Sequence, residues 1–360
     1  EGSGLGEKAP KKIQKLLSEE KKAILQGMRD EEGRLKKEAP PKFDFAHVLT
    51  ESGDDDMHVA LRGDLRKQGD LVPRRFVTIL AGKEAPPFKE GSGRRELAES
   101  VVNPNNPLTA RVMVNRVWQW QFGKALVRTP SNFGVLGETP THPELLDWLV
   151  HDFMKHGWSL KRLHRQIMQS ATWQMSSAFD EAKFAQDGDN RLLWRSNPRK
   201  LVAEAWRDSL LAATGEIDLT IGGPPEREIL DSKRRTLYAT VSRNGDRFVS
   251  DEFLRLFDFP APRSTSAERI TSTVPQQYLF MMNSPFMKAR AEALGRSLAE
   301  QSPEPSQRIE EVYERLYSRP AEPLELQLGL QWIGDKTDSP EAWTKYAQVL
   351  LSTHELFQIQ

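Results

Sequence analysis

The chain has 360 residues, enough for about two domains at roughly 150 residues each. Lys and Arg total 51 and Asp and Glu total 51, so the formal net charge is zero, which excludes a chain whose main task is neutralising nucleic-acid phosphates. The lack of Cys excludes disulfides, thiolate metal sites, a Cys nucleophile and thioether-linked c-type haem. No apolar run approaches the roughly 20 residues of a membrane span.

Glu1-Gly2-Ser3-Gly4 reads as a linker or a cut end, with no signal-peptide pattern. From Pro10 to Lys37 the chain is rich in Lys and Glu, and Ile13, Leu16, Leu17, Ile24, Leu25 and Met28 fall at helical spacing. This predicts one long, mostly solvated helix, stopped by Ala39-Pro40-Pro41. So thin an apolar stripe needs a partner to be stable. Phe43, Phe45, His47 and Leu49 alternate, and Met57 to Leu61 reads as a strand beyond the acidic turn Asp54-Asp55-Asp56. Arg62-Gly63-Asp64 reads as a turn closing that strand. Pro86-Pro87 and Gly91-Ser92-Gly93 mark a connection.

From Arg94 onward the punctuation is helical. Asn106-Pro107 reads as an N-cap with Pro at the first helical position, opening a helix that Gly123 stops. Thr141 and Glu144 have capping-box spacing, and Leu145, Trp148, Leu149 and Phe153 are assigned to one face of the helix they open. Ser159 caps the next helix, and Leu201 to Ala213 forms another. After Gly222-Gly223-Pro224-Pro225, Thr236 to Ser242 reads as a strand. Helices are then predicted at 252–257, 275–282, 285–298, 306–317, 323–333 and 340–357, several of them opened by Ser-Pro. Trp118, Trp148, Trp158 and Trp206 are expected in the core.

The familiar phosphate-loop, zinc-protease, nucleophile-elbow and EF-hand strings are absent. The densest polar set is His142, Glu144, Asp147 and His151, with His164 beyond. Asp147 and His151 are one helical turn apart, so they read as an acid–base pair or as an ordinary intrahelical pair. Arg116 and Trp120, with Trp118 and Phe122, place a guanidinium and aromatics on one helix, a platform suited to a glycan or a protein. No metal ligand set is assigned. The Arg-rich stretch from Arg234 to Arg269 is balanced by acidic residues, which favours internal ion pairs.

A run of motifs then resembles the PSD1 (DUF1553) domain. They are Asn106 to Val112 with Val114-Asn115-Arg116, Phe133-Gly134, His142 to Leu149, Gly157-Trp158-Ser159, and Ala203 to Asp208. Further on come Arg234 to Tyr238, Phe257-Asp258-Phe259-Pro260, Ser272 to Gln277, Asn283 to Phe286 and Leu350 to Phe357. Asn132 departs from the usual Asp before Phe-Gly, and His354 from the usual Asn. The resemblance implies an exported protein of planctomycetes and their relatives, periplasmic or at the cell surface. It implies an upstream DUF1549 domain and a c-type cytochrome domain, and it brings no catalytic residues.

The sequence therefore predicts a mainly α, multi-helix globular domain with a minor β element. Residues 1–42 are a charged helix and linker, 43–93 a small β-containing connector, and 94–360 the PSD1-like domain. The expected function is an exported interaction or scaffold domain without a cofactor of its own, any c-type haem lying on an associated domain. Its partners would be a DUF1549-like or cytochrome c domain or another protein. The alternative is a hydrolase or lyase acting on polysaccharide through the 142–151 region.

Overall fold

The computed structural model describes residues 18–38, 48–51, 53–243, 249–300 and 304–359. Ile13, Leu16 and Leu17, the stop at 39–41, the alternation at 43–47 and residues Asp246 to Phe248 lie outside them. The chain is mainly α, with two small two-stranded sheets among the described residues, and it divides into two compact units. One comprises residues 1–75 and 86–95, and the other residues 76–85 and 96–360.

The first unit holds helix α1 (Glu19–Glu38) and the hairpin of β1 (Met57–Ala60) and β2 (Gln68–Val72). α1 buries no residue, and its surface is laced with pairs one turn apart, such as Arg34–Glu38 and Lys36–Glu32. The strands are antiparallel, with Met57 opposite Val72, and Arg62 sits in a left-handed conformation in the turn after β1. The acidic turn is held structurally: Arg74 donates from its backbone N and its Nε to Asp56 Oδ1, at 2.9 and 3.0 Å.

The second unit begins with the short helix α2 (Thr78–Ala81); α3 (Arg94–Val102) follows across the boundary between the units. Three helices, α4 (Thr109–Phe122), α5 (Pro143–Lys155) and α6 (Leu160–Met168), then enclose a first core. There Trp118 stacks on Phe122 at 4.2 Å between ring centroids, with Val114, Leu146, Leu149 and Leu163 around them. Ser159 caps α6 by accepting from Arg162 N, as expected.

Two N-termini differ from expectation. α4 starts at Thr109, and Asn106 instead closes a turn by accepting from Leu108 N at 3.0 Å. Pro143 takes the first helical position of α5, so the cap position falls on His142; no side chain caps there, and the Thr141–Glu144 capping box does not form. Trp148 is also not a core residue, being 56% exposed. The buried stripe of α5 is Leu146, Leu149, Val150 and Phe153, and Trp148 projects from the opposite side.

A short helix α7 (Glu181–Gln186) leads to a second core. This core is built by α8 (Ala203–Ala213), α9 (Val249–Leu256), α10 (Pro275–Asn283), α11 (Pro285–Glu300), α12 (Pro305–Tyr317), α13 (Pro323–Ile333) and α14 (Pro340–Leu351). Trp206 lies at its centre, 4.6 Å from the Phe257 ring and 5.0 Å from Phe357. Strand β3 (Arg199–Lys200) pairs antiparallel with β4 (Gln358–Ile359), and Leu201 N donates to Phe357 O beside them. α14 ends at Leu351, and the predicted continuation to 357 is a separate 3-10 turn, Glu355–Phe357.

The expected strand at 236–242 does not form: Thr236–Tyr238 is a 3-10 turn with isolated bridges on either side, Asp218 to Arg234 and Glu226 to Ala239. The reason is local. The Thr236 N–H that a ladder would need is taken by the Asp208 carboxylate at 2.7 Å.

Candidate functional site

The structure does not bring the sequence candidates into one constellation. Asp147 turns away from His151: its Oδ1 accepts from Arg111 Nε and Nη2, at 3.0 and 2.7 Å, an inter-helix pair between α5 and α4. His151 stands exposed on the outer side of α5. His142, half-buried at the cap position, places Nδ1 3.0 Å from Thr141 Oγ1. His164 is half-buried beside the core stripe of α6 and accepts at Nδ1 from Gln121 Nε2, at 2.9 Å. Arg116 and Trp120 both face solvent, and the Trp120 carbonyl accepts from Arg199 Nη1 at 2.9 Å. Among the described residues, no three His, Cys, Asp or Glu side chains group closely enough to hold a metal ion.

What the fold does gather is a set of distant motifs, around two charged hubs. At the first, Arg207 on α8 is fully buried. It donates to Arg234 O at 2.9 Å, to Thr236 Oγ1 at 3.1 Å, and to the carbonyls of Ile229 and Ser232. Burial pulls its guanidinium down to about 10, against the opposing pull of Asp208. Asp208 accepts from both Thr236 N and Thr236 Oγ1. One turn of α8 thus supplies the hydrogen bonds for a stretch of irregular chain that has no ladder of its own.

At the second hub, Lys200 donates to Gln277 Oε1 at 2.8 Å and to the Ser272 carbonyl, lies 3.7 Å from Asp258 and sits 4.5 Å above the Phe357 ring. Burial lowers its pKa, opposed by Asp258. Asp258, in a left-handed conformation just after α9, accepts from Ser272 N and Oγ at 2.8 and 2.5 Å. Gln277, fully buried, also donates to Leu256 O. Lys200 thus makes two hydrogen bonds and a longer ion pair with Asp258, and the cluster ties β3, the end of α9, the 272 segment and α10 together. Tyr278, Ser352 and His354 line a narrow recess beside it. Asp258 is among the acidic residues that balance the Arg-rich stretch, and Asp258 and Gln277 both lie in motifs of the resemblance, whereas nothing in the sequence points to Lys200. The available signal was the position of Gln277, a polar residue one turn before Met281 on the buried face of α10.

The stretch that carries both hubs, together with α4 to α6, is matched by one family profile over residues 93–333, more than half of the chain: PSD1, a protein of unknown function (DUF1553). The chain belongs to the PSD1 family. No curated protein and no solved structure matches it. In this PSD1 domain the motifs of the resemblance meet in pairs. Ala203–Asp208 meets Arg234–Tyr238 through Arg207 and Asp208, and Phe257–Pro260 meets Ser272–Gln277 through Asp258. Asn132, where the resemblance expects Asp, still accepts from Gly134 N at 3.0 Å, so the amide keeps the turn that a carboxylate would make.

Proposed function

We propose that this PSD1 domain is an interaction module forming the C-terminal part of an exported multidomain protein, periplasmic or at the cell surface. It would serve an upstream DUF1549-type or cytochrome c domain. The observation that carries this reading is the turn at Val135–Leu136, whose two apolar side chains stand almost wholly in solvent. The turn is braced from behind: Thr129 Oγ1 donates to Asn132 O and accepts from Glu138 N, and Gly137 N donates to Gly134 O. A side chain at 137 would collide with the Asn132 carbonyl, so glycine is required there. A pre-ordered apolar projection pays little further entropy on docking, which favours a partner surface over a loose loop.

In this reading the domain holds no c-type haem of its own, since thioether attachment needs the absent Cys, and the purified chain is expected to be colourless. A stoichiometric Soret band in protein purified without added haem would overturn that point. The docking test titrates the chain with a separately produced DUF1549-type domain. The parent should bind, and Leu136→Asp should weaken binding about tenfold or more with an unchanged melting temperature. An absence of binding by the parent sinks the reading. So does turnover of sulfated or neutral polysaccharide by the parent that disappears in folded Asp147→Asn.

A further inference from the structure

Arg116 and Trp120 lie one turn apart on the outward ridge of α4, and the fold engages neither side chain. The Trp120 indole is 59% exposed, and among the described residues no ring or cation packs on it. A helical side chain leans over the turn before its own Cα, which sets the indole beside Arg116. Arg116 is exposed and makes no hydrogen bond or ion pair among the described residues.

A third group arrives from β3. Arg199 crosses the end of α4 and donates from Nη1 to the Trp120 carbonyl at 2.9 Å. Residue 123 must be glycine for this, because a Cβ there would collide with Cγ and Cδ of Arg199. Capping the helix end uses one guanidinium N–H, and Nε and Nη2 have no protein acceptor among the described residues. Burial lowers the Arg199 pKa, and no carboxylate opposes it. The carboxylates of adjoining segments are already held. Glu268 accepts from Gln119 Nε2 at 3.2 Å, and Glu204 accepts from both Nη atoms of Arg269 at 2.6 and 2.7 Å. A half-buried cation without a counter-charge gains from an external anion.

We propose that Trp120, flanked by Arg116 and Arg199, is a binding site for an anionic polysaccharide. The indole stacks on the C–H face of a pyranose ring, and the two guanidiniums take its carboxylate or sulfate groups. This goes beyond the docking reading and does not depend on it. Ring and charge select the ligand together. A neutral glycan would leave both guanidiniums without a partner, and an acidic peptide would leave the indole face bare. A single-stranded nucleic acid needs a run of cations along its backbone, which two guanidiniums at one ring do not supply. The three groups stand on an exposed helix ridge, which suits repeated contacts along a polymer better than capture of one enclosed small molecule.

The test titrates the full chain with polygalacturonate and with dextran sulfate. Methyl-esterified polygalacturonate, dextran, poly-L-glutamate and oligothymidylate serve as controls. The parent should bind at least one acidic polysaccharide about tenfold or more tightly than any control, and less tightly as salt rises. Which of the two it prefers tells carboxylate from sulfate. Trp120→Ala and Arg116→Gln should each weaken binding about fivefold or more with an unchanged melting temperature, because both side chains are exposed. Arg165→Gln removes an equally exposed charge from α6 and should leave binding as it is. Four results would overturn the proposal. The first is no binding to either acidic polysaccharide, and the second is binding unaltered by Trp120→Ala or by Arg116→Gln. The third is an equal loss in Arg165→Gln, which would mark diffuse attraction. The fourth is equally tight binding of a control, which would give the site to a neutral glycan, an acidic peptide or a nucleic acid.

Discussion

At the scale of single residues, the environment around a side chain decides its worth more than its type. Trp118 and Trp206 are buried, so Trp→Ala at either should cost about 3–5 kcal/mol by denaturant titration. Trp148→Ala should cost less than about 1 kcal/mol, because the ring is more than half in water and no cavity follows its removal. Arg207→Ala belongs with the first group. It strips a buried charge from carbonyls that have no water to turn to, an expected loss of about 3–5 kcal/mol. Asp147→Asn removes only a largely exposed pair with Arg111, worth about 0.2–1 kcal/mol and diminishing with salt. These contrasts also show what the sequence exposes and what it hides. Asp147 and His151 are neighbours on a helical wheel, but a wheel cannot show that Arg111, from another helix, reaches the carboxylate first. Lys200 and Asp258 are 58 positions apart, and no local pattern announces their meeting.

Among elements, those with a chemical start signal were legible. Pro at the first helical position marks α10, α11, α13 and α14 to within a residue or two, because it fixes φ and lacks only an N–H that would be unpaired anyway. The β3–β4 pair was not legible, since two-residue strands carry no periodicity, and six-residue α7 was missed although Asp180 caps it by accepting from Lys183 N. The misassigned face of α5 followed from placing Trp148 with Leu145 and Leu149, when the stripe runs one residue along. The start of α13 carries a pH dependence. Hydrogen bonding from Arg319 holds Glu325 below the usual carboxylate range, and the same guanidinium reaches Glu355 in the final 3-10 turn at 2.7 Å. A carboxylate depressed in the folded state stabilises above its unfolded value and loses that contribution as pH falls through the folded value. Thermal melts of the parent and Arg319→Gln should therefore differ by a constant amount above about pH 5. The gap should close as pH falls below about 4.5. A gap that stays the same at acid pH would show that Arg319 acts through packing on Tyr313 and Tyr317 instead.

In the whole molecule, the helical part of the second unit is built around two buried clusters that do not merge among the described residues. One lies among α4, α5 and α6, and the other surrounds Trp206. Polar contacts link them: Gln119 Nε2 donates to Glu268 at 3.2 Å, Asn197 Nδ2 to Phe122 O at 3.3 Å, and Arg199 Nη1 to Trp120 O at 2.9 Å. Cooperativity follows shared apolar burial, and partly exposed hydrogen bonds contribute only about 1 kcal/mol each, too little to force two cores to unfold as one. Denaturant unfolding of the chain should therefore resolve two transitions. Trp118→Ala should move one midpoint and Trp206→Ala the other, each by the equivalent of about 3–5 kcal/mol, with the second midpoint nearly still in each case. Tryptophan fluorescence would sample both cores, through Trp118 in one and Trp206 and Trp343 in the other, whereas far-UV circular dichroism would be weighted to the larger, more helical core, so the two probes would divide their amplitude differently between the transitions. Coincident single transitions, shifted as a whole by either substitution, would mean that Arg199 and the 263–274 segment weld the two cores into one cooperative unit.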